Sequence, residues 1–189
     1  MFKKLKRRRM KKTDYYQRLN LLKSGKFRLV IRKSLNNMLA QIVRYHPKGD
    51  QIITSAMTKE LKKYGWLGGN NTCSAYLTGL LIGYKAKKIG INELVPDIGL
   101  NRSTKGCKIY ALIKGCLDAG INININEKII PSEDRILGKH IENYAKIIKE
   151  KGEYEKRFSK YKERGLDAEH ISEHVVDIAN KIKTFFENK

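Results

Sequence analysis

Residues 64–84 run for 21 positions without a single charge, in a chain where 31% of residues are Asp, Glu, Lys or Arg. Nothing else in the sequence constrains the fold as strongly, because an uncharged stretch of that length has to be taken out of water by something. It is long enough to cross a bilayer. It also holds five glycines and the polar Asn70, Asn71, Thr72, Ser74 and Thr78, a composition unsuited to a lipid-facing span. The pattern instead predicts a glycine-rich loop over 65–70 that opens a buried helix over 71–88. Ala75, Gly79 and Gly83 recur at spacing four on that helix, so it can lie very close to a neighbour. Leu77, Leu80, Leu81 and Tyr84 fill the flanks, and a helix apolar almost all round is one buried against a sheet.

The sheet is written upstream of that helix. Phe27, Leu29 and Ile31 alternate with Arg28, Val30 and Arg32, so one face of a strand enters the core and the other carries two arginines. Further strands are expected over 38–45 and 51–56. The turns Ser34-Leu35-Asn36-Asn37 and His46-Pro47-Lys48-Gly49-Asp50 separate them and complete an antiparallel meander. Thr58 is placed to cap a short helix over 59–64. A fourth strand is read over 94–100, where Pro96 suits only an edge or an irregular start. A fifth is read over 108–113, then a short helix from Gly115 that Gly120 stops. The Ile-Asn alternation of 121–126 suits an edge strand. Beyond Gly138 bases and acids are nearly balanced. Helices are expected over 132–149 and from about 167, the second with Ile171, Val175, Ile178, Ile182 and Phe185 on one face. Tyr154, Phe158 and Tyr161 would tie the connection to the core. The fold class is thus α/β: a compact three-layer body over 27–131 with a mixed sheet, made of the N-terminal antiparallel meander plus further strands. A basic arm (1–26) precedes it and a helical extension (132–189) follows.

Charge supplies the functional signal. Forty Lys and Arg against nineteen Asp and Glu give +21, and fourteen of the bases fall within the first 33 residues, where Asp14 is the lone acid. A compact chain with that excess needs a polyanion, and nucleic acid is the commonest; the anionic face of a membrane is the other candidate. Lys3, Lys4, Lys6, Arg7, Arg8, Arg9, Lys11 and Lys12 form an arm without apolar spacing, expected to lack order until it meets its partner. Its arginines can make forked contacts to phosphate. Tyr15, Tyr16 and Arg18 follow in a short helix capped by Thr13 or Asp14, and rings beside cations suit unstacked bases, or else anchor the arm to the body. Lys26, Arg28, Arg32, Lys33, Ser34, Asn36 and Asn37 form a second candidate RNA-facing side, with a solvated strand face as its plain alternative. Tyr64, Trp66, Asn70 and Asn71 of the glycine-rich loop are the third group, with a packed Trp66 as its plain alternative.

Catalytic and cofactor chemistry finds little support. The loop is neither GxxxxGK followed by Ser or Thr nor GxGxxG. No carboxylates pair at metal-binding spacing, and His170 and His174, four apart, have no evident third ligand. Cys73, Cys107 and Cys116 form no CxxC pair and read as small buried residues in a reducing compartment. The basic N-terminus lacks the apolar core of a signal peptide, although Lys6-Arg7-Arg8-Arg9 could also serve as a localisation address. The expectation is a non-enzyme with no cofactor, no metal, no membrane partner and no small-molecule substrate. A general basic nucleic-acid-binding protein and an RNA-processing protein are the alternatives.

Several segments together resemble one family. Arg7-Arg8-Arg9, Lys12-Thr13-Asp14-Tyr15-Tyr16, Leu22-Lys23-Ser24-Gly25-Lys26 and Arg28-Leu29-Val30-Ile31-Arg32-Lys33-Ser34 look like the start of large-subunit ribosomal protein eighteen in its archaeal form, whose eukaryotic counterpart is ribosomal protein L-five. Tyr64-Gly65-Trp66, Ser74-Ala75-Tyr76-Leu77-Thr78-Gly79-Leu80-Leu81, Asp97-Ile98-Gly99-Leu100, Asp118-Ala119-Gly120 and Pro131-Ser132-Glu133-Asp134-Arg135-Ile136 continue the resemblance, which covers roughly residues 2–141. It implies a cytoplasmic protein of the large ribosomal subunit that binds 5S rRNA and helps attach it to the large-subunit rRNA in the central protuberance, beside neighbouring ribosomal proteins. It implies no catalysis and no cofactor, and it makes the arm and the arginine-bearing first strand the RNA-facing parts. Pro96 and the Ile-Asn tract depart from the family pattern.

Overall fold

The computed structural model describes residues 5–187. Among the described residues of the arm, a single helical turn, α1 (Lys6–Arg9), is followed by α2 (Tyr15–Leu22). Asp14 caps α2 by accepting the Tyr16 and Gln17 amides at 2.9 and 3.2 Å. Arg7 is hooked to the Thr13 hydroxyl at 2.8 Å, so residues 6–13 have local order where the sequence reading expects none before a partner binds.

Alternating segments form the sheet. The strands β1 (Arg28–Lys33), β2 (Met38–Arg44) and β3 (Gln51–Met57) make an antiparallel meander, and β4 (Val95–Asp97) joins β1 in parallel, giving the order β3-β2-β1-β4. Leu29 stands opposite Ile42 and Ile31 opposite Ala40. All four are fully buried. The intervening Arg28, Val30 and Arg32 share the opposite face with Gln41 and Val43. β4 is an edge strand and shorter than the 94–100 span expected. Pro96 fits it because the Val95 amide turns inward to the Phe27 carbonyl, so the next nitrogen points away from the sheet, where a missing N–H breaks no ladder bond.

The uncharged stretch becomes α3 (Thr72–Lys88), which covers the core side of β2 and β3. Asn71 and Ser74 cap it reciprocally: Asn71 Oδ1 accepts the Ser74 amide at 2.8 Å and Ser74 Oγ accepts the Asn71 amide at 3.0 Å. Just before it, Thr58–Tyr64 is a 3₁₀ stretch. Thr58 does not cap this stretch. Its hydroxyl is buried between the Met38 amide and Thr78, and Glu60 instead accepts the Met57 amide.

Residues 108–118 overturn the strand expected over 108–113. They form one helix, α4 (Lys108–Asp118), that ends at Gly120, whose φ is +88°. Ile109, Leu112, Ile113 and Cys116, at spacings of three and four, are all buried. α4 lies on α3 at backbone contact. A Cβ on Gly79 would sit 2.0 Å from the Leu112 carbonyl oxygen, and one on Gly115 would sit 2.2 Å from that of Tyr76. The Ile-Asn tract is also no strand: Asn122 makes one isolated parallel bridge to Glu93, while Ile121 and Ile123 point into the core.

The C-terminal part is helical as expected, with one break. Gly138, at φ +93°, divides the predicted 132–149 helix into α5 (Glu133–Leu137) and α6 (Lys139–Glu150). Two single turns follow, α7 (Tyr154–Arg157) and α8 (Ser159–Lys162), and then α9 (Ile171–Glu187). Ala145, Ile148, Phe158 and Ala168 build a small core of their own, with the Tyr154 and Tyr161 rings 5.1 and 5.7 Å from that of Phe158. α9 returns to the body: Ile171, Val175, Ile178 and Ile182 belong to the same buried cluster as Leu29 and Leu77.

Candidate RNA interface

α3, backed by α4 and α9, covers one face of the sheet. The other face carries a chain of alternating charges. Arg28 lies at its centre, 2% exposed, with Nη1 donating to Asp97 at 2.8 Å and Nη2 donating to Asp50 at 2.6 Å. The second oxygen of Asp50 accepts Arg18 at 2.9 Å. That of Asp97 accepts Arg32 at 3.2 Å and the Gly99 amide at 3.0 Å. Arg32 also donates to the Asp97 carbonyl at 2.9 Å. The order Arg18–Asp50–Arg28–Asp97–Arg32 therefore links α2, the β2–β3 turn, β1 and β4. A guanidinium taken this far from water has to be paired. Arg28 has both Nη groups engaged inside the protein, and its Nε is buried without a partner. Arg18 and Arg32 keep part of their side chains in solvent.

Between α2 and this face runs a cleft of about 640 Å³. Arg7, Lys12, Arg18, Arg32 and Lys33 supply cations along it, Gln17, Gln41 and Asn101 supply amides, and Leu21, Val30, Val43 and Ile52 supply apolar surface. Next to it a second groove is bounded by Arg8, Lys11, Tyr15, Tyr16 and Leu100. Tyr16 is 78% exposed and Tyr15 half-buried. Lys6, Arg8, Arg9, Lys11 and Lys12 are exposed, and no ion pair to an acid forms at any of them among the described residues. Lys3 and Lys4, also expected to face RNA, lie outside the described residues.

The remaining candidates divide. Lys26 is ion-paired to Glu93. Lys33 and Asn36 are exposed. Ser34 closes its turn, its hydroxyl donating to the Asn37 carbonyl and accepting the Asn37 amide at 2.9 and 3.0 Å. Asn70 donates to the Ser34 and Leu35 carbonyls at 3.3 and 3.0 Å and so fastens the glycine-rich loop to that turn. Asn71 serves as the α3 cap. Tyr64 packs edge-on to Phe185 at 5.5 Å, and Trp66, 3% exposed, stacks on His174 at 5.2 Å. The structure therefore gathers the arm, α2, the polar side of β1 and the β1–β2 turn in one region, while Tyr64, Trp66 and Asn71 sit in packing and capping positions. Sequence reasoning missed Asp50 and Asp97. The signal was available: an arginine at a strand position flanked by core residues calls for a carboxylate.

No group of three or more His, Cys, Asp or Glu side chains suited to a metal ion occurs among the described residues. His170 pairs with Glu173, and His174 accepts the Leu67 amide. Burial pushes the Cys73 thiol up to about 12 and raises that of Cys116 as well, so both stay protonated and unreactive at neutral pH. No helix among the described residues is long and apolar enough to cross a membrane.

A basic α/β body with a cationic arm folded along an open, arginine-lined sheet face is a protein built to hold a polyanion. The family described as ribosomal large subunit proteins 60S L5 and 50S L18 matches residues 2–95. The large ribosomal subunit protein uL18 of Methanococcus maripaludis is 53% identical over 178 residues, covering 93% of this chain and 92% of that protein. The chain belongs to this ribosomal family. It is a structural constituent of the large subunit of the cytoplasmic ribosome.

Proposed function

We propose that the chain binds 5S rRNA and helps attach it to the large-subunit rRNA in the central protuberance, without catalysing a reaction. The observation that carries this reading is the continuous run of cations from the arm to the rim of the sheet-face cleft, with Tyr16 exposed beside it. Arg7, Arg8 and Arg9 can clamp phosphates, Tyr16 offers a ring to an unstacked base, and Arg18, Arg32 and Lys33 continue the phosphate contacts onto the body. Arg28 contributes from within, since it holds Asp97 and through it the Arg32 fork. The arm (1–26) then supplies mostly charge and the body (27–131) mostly shape recognition.

The test is a titration of the full chain against 5S rRNA and against tRNA of similar size across a salt series. Every phosphate that the chain neutralises adds about 0.7–0.9 to the steepness of log K against log salt, so both curves fall. A large advantage for 5S rRNA that persists at high salt supports shape recognition by the body. Coincident curves at every salt concentration would leave only a general basic nucleic-acid binder. Cleavage of either RNA on addition of divalent metal would instead favour the RNA-processing alternative.

A further inference from the structure

The cationic surface runs on past the cleft, from Lys33 in its lining to the junction where the β1–β2 turn meets the start of α4. Lys108, the first residue of α4, is partly buried and donates to the Asn70 carbonyl. Asn70 is itself fixed to the Ser34 and Leu35 carbonyls, so three separate stretches of chain converge here. Burial lowers the Lys108 ammonium below the ordinary lysine range, and the charge of Lys33, the last residue of β1 before the turn, acts in the same direction. No carboxylate forms an ion pair with either lysine among the described residues. The loop into α4 adds Arg102 and Lys105, both exposed and without an ion pair among the described residues.

We propose that Lys33 and Lys108 form a phosphate-holding pair that carries RNA contact from the open sheet face round to the helical layer, making Lys108 an RNA-binding residue. The inference rests on the RNA-binding reading above. The Asn70 junction brings Lys108 to the turn that follows Lys33, and a phosphate seated there would satisfy donors of both lysines. Lys108 has a fixed position because the Asn70 carbonyl anchors it, which lowers the entropy lost when it grips a ligand.

The full chain and the variants Lys108→Gln, Lys108→Arg, Lys33→Gln and Arg8→Gln are titrated against 5S rRNA over the same salt series, with melting temperatures measured in parallel. Lys108→Gln and Lys33→Gln are each expected to reduce the salt slope by about 0.7–0.9, and Lys108→Arg to preserve it. Lys33 is on the surface, so its variant folds even if Lys108→Gln disturbs the Asn70 junction. An unchanged slope in Lys108→Gln, with or without a lower melting temperature, overturns the proposal and makes Lys108 a strut for the loop. A reduced slope in Arg8→Gln beside unchanged slopes in both lysine variants would sink this inference alone. Loss of any preference for 5S rRNA over tRNA in the parent chain would sink the 5S reading, while the lysine pair would still be judged by its slopes on either RNA.

Discussion

Arg28 shows how one buried charge organises a surface. With 2% of its side chain exposed and Asp97 at 9%, the pair gains little from solvent on either side. Asp97→Asn leaves the buried Arg28 with Asp50 as its one remaining carboxylate and removes the charged acceptor that Arg32 shares, so it is expected to destabilise the chain by about 1–3 kcal/mol in chemical denaturation. Arg18 and Asp50 are 32% and 25% exposed, and a pair so wet contributes about 1 kcal/mol or less. Arg18→Ala should therefore leave the unfolding midpoint almost unmoved while it lowers the salt slope of RNA binding. The two variants separate the structural members of the charge chain from the RNA-facing ones. A second residue-scale prediction concerns His174, on α9. Burial lowers its pKa from 6.5, with nearby Lys181 acting in the same direction and Asp177 opposing. The fold favours the neutral ring, which accepts the Leu67 amide and stacks on Trp66. Its stabilising contribution is therefore whole above pH 6.5 and is lost as pH falls through the lower folded value. Trp66 is the chain's one tryptophan, so its emission should shift as pH drops from 7.5 to 5, and His174→Phe should flatten that response.

At the scale of elements, the α3–α4 contact is the tightest in the molecule for which glycine is required. Gly79→Ala adds helix propensity of about 1 kcal/mol, but the new methyl group would meet the Leu112 carbonyl at 2.0 Å. Backbone cannot give way as a side-chain tip can, so the clash wins and a net loss of about 1–3 kcal/mol is expected in thermal or urea unfolding. The glycine stripe was legible in the sequence as a close approach, but its partner was not. Residues 108–113 form a short apolar run that periodicity alone cannot assign to strand or helix. Gly115 reads locally as the start of something new, although it is the place where α4 presses on α3. The spacing of Ile109, Leu112, Ile113 and Cys116 held the correct answer, and it is visible only when the window extends past Gly115. The meander was readable because alternation over 27–32 and the turns at 34–37 and 46–50 delimit three segments, and the observed register buries Leu29, Ile31, Ala40 and Ile42 together. Gly138 escaped notice because a single glycine in an apolar-periodic stretch is ordinarily tolerated, and its positive φ is imposed by the turn that brings α6 round. Within the candidate site, the cations were legible as a composition. Which of them are already spent on carboxylates depended on Asp50 and Asp97 reaching Arg28 from 22 and 69 residues away.

For the molecule as a whole, charge and shape recognition are placed in different parts of the chain, and that makes them separable. Residues 1–18 hold nine Lys and Arg against the single Asp14. The folded body keeps Arg32, Lys33 and the polar side of the sheet when they are removed. Deleting residues 1–18 takes away Arg18 and frees Asp50 to interact with Arg28 alone, a change at the surface, so the body should still unfold cooperatively. Its RNA affinity should fall at every salt concentration, and its salt slope should become markedly shallower, because the counterions released by the arm no longer contribute. Its preference for 5S rRNA over tRNA should survive in ratio, since a salt-dependent, sequence-blind term subtracts equally from both. Parallel titrations of the truncated and full chains against the two RNAs measure both quantities at once. A truncated chain whose affinity and preference fall together would show that the arm itself reads the RNA, and would move recognition from the sheet face to Arg7, Arg8, Arg9, Tyr15 and Tyr16.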